Sequence, residues 1–125
     1  MERGRGVAGR STAGRHDRSG RGIHLRGITG HDDRERLADQ LSGQCRQALL
    51  NASRSLGCAG LSMSDVIRVV YLLRNADAFP SCFPLLRDAF GEARPAATLR
   101  LVDGFDAPGI EIELELFARQ RPIAA

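Results

Sequence analysis

The sequence predicts an α+β domain of two layers, with two helices on one face of a mixed β-sheet. Three observations carry that prediction. Leu37, Leu41, Cys45, Ala48, Leu49, Ala52 and Leu56 recur at three- and four-residue steps, the spacing of a helix with one buried stripe. Val66 to Leu73 is a nearly unbroken apolar run rich in β-branched residues, as expected of an inner strand. Ile110, Ile112, Leu114 and Leu116 alternate with Glu111, Glu113 and Glu115, the period of a strand with one wet face.

A chain of 125 residues forms one domain with one core. Residues 1–22 are assigned to a basic Gly/Arg-rich tail and residues 23–125 to the folded domain. Eight of the eighteen basic residues, all of them Arg, fall in the first 34 positions, and eight of the fourteen glycines in the first 30. Such a stretch buries too little apolar surface to offset its ordering entropy, so it is expected to be disordered, with one weak strand allowed before Gly20.

The elements follow in order. Ile23 to Arg26 is a short strand, closed by the loop Gly27 to Gly30. The long helix spans Arg36 to Leu56, with Gln44 off its apolar stripe and Gly57 and Gly60 at its end. Val66 to Leu73 is a central strand, covered on both faces. The second helix lies near Phe79 to Phe90, and Pro84 can move its start. Ala96 to Leu101 is the next strand. Arg94 precedes Pro95 and is expected to be extended. The last strand is Ile110 to Ala118, its glutamate face turned to water or to another subunit. A sheet covered on one side only makes self-association an efficient way to cover the other.

Charge and cysteine usage narrow the class. No run of about 18 apolar residues occurs, so no membrane partner is expected. Cys45, Cys58 and Cys82 form no CxxC pair and read as reduced, buried thiols of a cytoplasmic protein. His16, His24 and His31 lack the spacing of a zinc site, so neither a metal nor a cofactor is expected.

From Ile23 to Arg119 the chain resembles the Rid family of reactive-intermediate deaminases, also called YjgF-like or RidA. The segments that carry the likeness stand in the family's order. They are Ile23-His24-Leu25-Arg26-Gly27-Ile28-Thr29-Gly30, Gln44 to Leu49 with Asn51, and Gly60 to Val69. Asp77-Ala78-Phe79-Pro80, Phe90-Gly91-Glu92, Arg94-Pro95-Ala96-Ala97-Thr98 and Ile112 to Leu116 complete the series.

The resemblance implies a chorismate-mutase-like fold, a homotrimer, and clefts between subunits that bind a small carboxylate. It implies hydrolytic deamination of imine or enamine intermediates, in which an Arg clamps the substrate carboxylate and a glutamate helps a water attack. The glutamate maps to Glu113. The clamp position is Ala97, which carries no charge. The remaining ligand-binding candidates are Arg26, Gly27 and Thr98. Arg26 stands where the family has a small hydroxylated residue, and the family's early Gly-Pro-Tyr segment has no match in residues 1–22. That segment is expected to be a replacement of the family's first strand. Two other functions are consistent with the family: an RNA-binding or translation-affecting protein, and a non-catalytic ligand sensor. A nucleic-acid partner is not expected, because no aromatic residue precedes Tyr71 to stack bases beside the arginine-rich tail.

Overall fold

The computed structural model describes residues 22–120 and the strand 12–16. Most of the predicted tail, residues 1–11 and 17–21, therefore lies outside the described residues. The strands are β1 (Thr12–His16), β2 (Gly22–Thr29), β3 (Val66–Leu73), β4 (Ala96–Leu101) and β5 (Ile112–Arg119). The helices are α1 (Leu41–Cys58) and α2 (Phe83–Phe90), with 3-10 turns at Met63–Asp65, Phe79–Cys82 and Gly91–Ala93. The sheet runs β1-β2-β5-β3-β4. All neighbours are antiparallel except β3 and β4, which are parallel.

The core lies between this sheet and the two helices. Leu25, Ile28, Val69, Leu73, Ile112, Leu114 and Leu116 meet Cys45, Ala48, Ala52 and Leu56 of α1 there, all at or near full burial. The alternation read in the last strand is the cause. Every second residue of β5 is buried, and the glutamates between them are half-buried on the other face.

Several boundaries moved, each for a local reason. α1 starts at Leu41, not Arg36, because Asp32 competes for the backbone. Its carboxylate accepts the N–H groups of Arg34 (2.8 Å) and Arg36 (2.9 Å), which also hold it below the usual carboxylate range. Leu37 is thereby left in a loop. Gln44, expected off the stripe, is buried within it. Its Nε2 donates to the carbonyls of Ala38 (2.9 Å) and Gly109 (2.8 Å), and its Oε1 accepts from Glu111 N–H (2.9 Å). That last bond takes the Glu111 donor, and β5 begins at Ile112 instead of Ile110.

β2 is longer than expected. It continues past Arg26 to Thr29 through a register shift between Leu25 and Ile28, where Gly27 adopts φ 69°. The helix expected near Phe79–Phe90 divides at Cys82 into a 3-10 turn and α2, with Pro84 in the first turn of α2. Arg94 is left-handed (φ 45°, ψ 59°), not extended as its place before Pro95 suggests. It turns the chain out of the 3-10 turn Gly91–Ala93 into β4. Cys58, the last residue of α1, is exposed rather than buried.

β3 lies inside the sheet; one face enters the core, and the other is buried at Val70 (3% exposed) but open at Arg68. Val69, Tyr71 and Leu73 enter the core, while Arg68 on the other face is exposed and Leu72 half-buried. No element of the described chain packs over that second face.

Candidate functional site

The uncovered face of the sheet is where polar side chains from separate strands converge. β5 supplies Glu113, Glu115 and Phe117 at alternate positions, because its other alternate residues are needed in the core. β2 pairs beside it and places His24 opposite Phe117; β3 pairs on the other side and places Arg68 opposite Phe117 as well. Phe117 is consequently flanked. The His24 ring stacks on it with centroids 4.1 Å apart and planes 13° from parallel, and the Arg68 guanidinium lies 5.7 Å from its centroid. His24 Nε2 is 2.5 Å from Glu115 Oε2. Arg68 Nη2 donates to Thr98 Oγ1 at 3.2 Å, which ties β4 to the same row.

Glu113 sits two residues along β5 from Glu115, opposite Thr29 of β2 and Leu72 of β3. Its carboxyl is pushed above the ordinary range, first by burial and then by the nearby Asp106 and Glu115 carboxylates. The Arg26 guanidinium acts in the opposite direction, so Arg26 is close enough to influence the same oxygens. Gly27, the next residue, carries no Cβ, and nothing approaches within 4 Å of where one would be. The bulge thus presents an open stretch of backbone beside Arg26.

The chain brings Arg26 and Gly27 toward Glu113, and it keeps Ala97 away from it. Ala97 pairs with Val69, a core residue, so it belongs to the helix-bearing side of the sheet. Glu113 pairs with Leu72, which belongs to the other side, and β3 lies between the two strands. Thr98 does share the uncovered face, but it stands level with Val70 and Glu115 and is engaged by Arg68. A site that uses both Ala97 and Glu113 must take them from different copies of the chain.

The sequence reading missed His24, Arg68, Glu115 and Phe117. Glu115 and Phe117 share Glu113's strand parity, which is a visible signal. His24 and Arg68 join them only through strand register. Among the described residues, no group of three or more His, Cys, Asp or Glu is placed to hold a metal. His31 Nδ1 is instead 2.6 Å from Thr29 Oγ1. A depression of about 300 Å³ lined by Gly30, Asp32, Arg36, Leu37, Ala38, Gly43 and Gln47 includes none of the candidate residues. No helix among the described residues is long and apolar enough to cross a membrane.

The raised Glu113 carboxyl has a testable sign. The folded chain holds this proton more tightly than the unfolded chain. The resulting stabilisation is complete below the unfolded carboxylate range and is lost as pH rises through the folded value. Glu113→Gln cannot ionise, so it is expected to melt at or above the parent temperature at pH 7 and to lose that advantage near pH 4. Thermal melts at both values check this. A variant destabilised at pH 7 alone contradicts the assignment.

Comparison with known proteins agrees with this architecture. The family model described as Endoribonuclease L-PSP matches residues 15–120, beginning ahead of the Ile23 at which the likeness is first legible. A RutC family protein of Pyrococcus horikoshii is 34% identical over 62 residues, 50% of this chain and 49% of that protein. The match thus spans about half the length of that curated relative. Among solved structures, a YjgF/YER057c/UK114 family member of Mycobacterium tuberculosis superposes with a TM-score of 0.70 at 28% identity, over 78% of each chain. RidA from the Antarctic bacterium Psychrobacter sp. PAMC 21119 has the same fold, with a TM-score of 0.76 at 19% identity over 91% of this chain and 89% of that one. With the family model covering residues 15–120 and the α+β fold matching over 78–91% of the chain, the chain belongs to the Endoribonuclease L-PSP family, that of the YjgF and Rid proteins.

Proposed function

We propose that the chain binds a small carboxylate-bearing metabolite in a cleft formed between copies of itself, as a divergent hydrolase of imine or enamine intermediates. The observation that carries this reading is Glu113. It is a half-buried carboxyl on an uncovered sheet face, with its proton affinity raised and the Arg26 guanidinium near it. A carboxyl poised in this way suits general acid–base work on a water molecule. Water adds to the C=N carbon as Glu113 takes one of its protons and passes it to nitrogen, giving a carbinolamine; Glu113 then moves the hydroxyl proton to nitrogen, and ammonia leaves as the carbonyl forms. A 2-imino acid plus water gives a 2-keto acid plus ammonia.

The opposite facing of Ala97 and Glu113 supports a cleft between subunits, and a homotrimer is the assembly proposed. Leu99 and Leu101 of β4, 44% and 61% exposed, offer apolar surface for such packing. Sedimentation equilibrium is expected to give three chains, and a single-chain mass overturns the proposal. The cytoplasm is the proposed compartment.

Ala97 sets the substrate range. Loss of a bidentate guanidinium–carboxylate contact typically costs about 2–5 kcal/mol. That is a factor of roughly tens to thousands in affinity. Turnover of 2-iminobutanoate-type substrates is therefore expected to be slight. Ala97→Arg should raise ammonia release from a freshly generated 2-imino acid at least about tenfold. Glu113→Gln in that background should remove the gain. A parent protein already as fast as an arginine-bearing relative, or an Ala97→Arg variant no faster than its parent, refutes this account.

A further inference from the structure

Strand register puts three residues in one line across the uncovered face. Leu72 of β3 pairs with Glu113 of β5 on one side and with Arg100 of β4 on the other. Paired residues of neighbouring strands point to the same side of a sheet, so all three share the face that carries Glu115 and Thr98. Two strand spacings of about 4.8 Å separate Arg100 from Glu113, so their Cα atoms lie roughly 10 Å apart. Half-buried Leu72 is the floor between them.

The other arginines that β3 and its continuation bring to this face are already engaged. Arg68 donates to Thr98 and lies against Phe117. Arg74, just past β3, pairs with Glu111 at 3.5 Å. Arg100 is exposed and has neither a hydrogen bond nor an ion pair among the described residues. A guanidinium presents a planar fork of donors that matches both oxygens of a carboxylate. Here that fork is carried on a strand, level with the Glu113 carboxyl and parted from it by one apolar side chain.

We propose that Arg100 anchors the substrate carboxylate, and that the substrates are imines whose carboxylate stands about three bonds beyond the C=N carbon. This rests on the reading of Glu113 given above and names the substrate class that suits its site better than a 2-imino acid. Side chains on a strand stand roughly perpendicular to the sheet, so the spacing of Arg100 and Glu113 persists at their tips. Hydrogen-bond contacts of ~3 Å at each end leave about 4 Å, the span of three carbon–carbon bonds. A carboxylate attached directly to the C=N carbon is too short to engage both groups well. The methylenes of the longer substrate lie on Leu72. Water adds at Glu113 as before, and a 4-imino acid plus water gives a 4-oxo acid plus ammonia. Such a substrate does not call on Ala97, which lies on the helix-bearing side of the sheet.

The experiment uses the native full chain and stable ketones in place of the imines. Calorimetric titrations compare 4-oxopentanoate, its methyl ester and 2-oxobutanoate. The first is expected to bind at least about tenfold tighter than either of the others. Arg100→Gln should remove that preference, and Arg100→Lys, which keeps the charge without the planar fork, should retain part of it. Arg100 is exposed on an edge strand, so neither variant disturbs the core. Equal affinity for the three ligands, or a preference that survives in Arg100→Gln, overturns the anchor. Glu113 is read separately, from exchange of the ketone oxygen of 4-oxopentanoate with isotopically labelled water, which requires the same addition of water to a trigonal carbon. That exchange should fall at least about tenfold in Glu113→Gln while binding holds. Arg100-dependent binding with no Glu113-dependent exchange supports the anchor and sinks the hydrolase reading; exchange without the binding preference does the reverse.

Discussion

Gly30→Ala is expected to destabilise the fold strongly. A Cβ at this position would lie 2.4 Å from the carbonyl oxygen of Gln44, 2.8 Å from its Cα and 2.9 Å from its carbonyl carbon. All three atoms are α1 backbone, and no flexible side-chain tip is available to move aside. The helix cannot retreat without lifting its own buried stripe, which includes Gln44, out of the core. Forcing one methyl into a packed interior typically costs about 1–3 kcal/mol, and a clash with rigid helix backbone belongs at or above the top of that range. For a domain of this size such a loss lowers the melting temperature by about 10 °C or more. Gly57→Ala is the control. It also lies in α1, nothing stands within 4 Å of its added methyl, and alanine is the better helix former. Its melting temperature should hold or rise. A Gly30→Ala protein melting within two or three degrees, ~1 kcal/mol, of its parent removes the argument.

Gln44→Leu should come close to that effect by a different route. The substitution keeps the volume and removes every hydrogen bond. The carbonyls of Ala38 and Gly109 and the N–H of Glu111 each lose a partner at a position that is 1% exposed. A buried polar group left unpaired costs about 1–3 kcal/mol, so the total is several kcal/mol less whatever water recovers. The damage is also directional. The loop before α1, the turn before β5 and the start of β5 are released together. Hydrogen exchange at the Glu111 amide should accelerate more than exchange at Leu114 in the strand centre. Uniform acceleration across β5 points instead to a general loss of stability.

Much of the architecture was visible because burial and period coincide. The alternation from Ile112 to Leu116 shows one face in the core, and the structure puts those residues there. The stripe of α1 was visible for the same reason. What stayed hidden depends on contacts between distant residues or on local chemistry that competes with periodicity. Leu37 continues the helical spacing, yet the Asp32 carboxylate captures two backbone N–H groups and holds the chain in a turn. Gln44 looks like a surface residue until the loop at Gly109 is known to pass beside it. The same distinction applies to the candidate site. Glu113 was accessible from strand parity and family likeness. The row of His24, Phe117 and Arg68 was not, because only the pairing of β2 and β3 with β5 assembles it.

The position of β5 also bears on how the protein is made. It comes last of the five strands in sequence, yet it lies in the middle of the sheet, with β2 on one side and β3 on the other. A nascent chain that has emerged only as far as β4 can pair β3 with β4, but β2 has no route to them. The two parts must wait apart, apolar faces open, until the ribosome has released Ile112 to Arg119 between them. Synthesis that halts in the loop before Ile112 would leave two half-sheets joined only through α1 and an incomplete core, a natural client for chaperones and proteases.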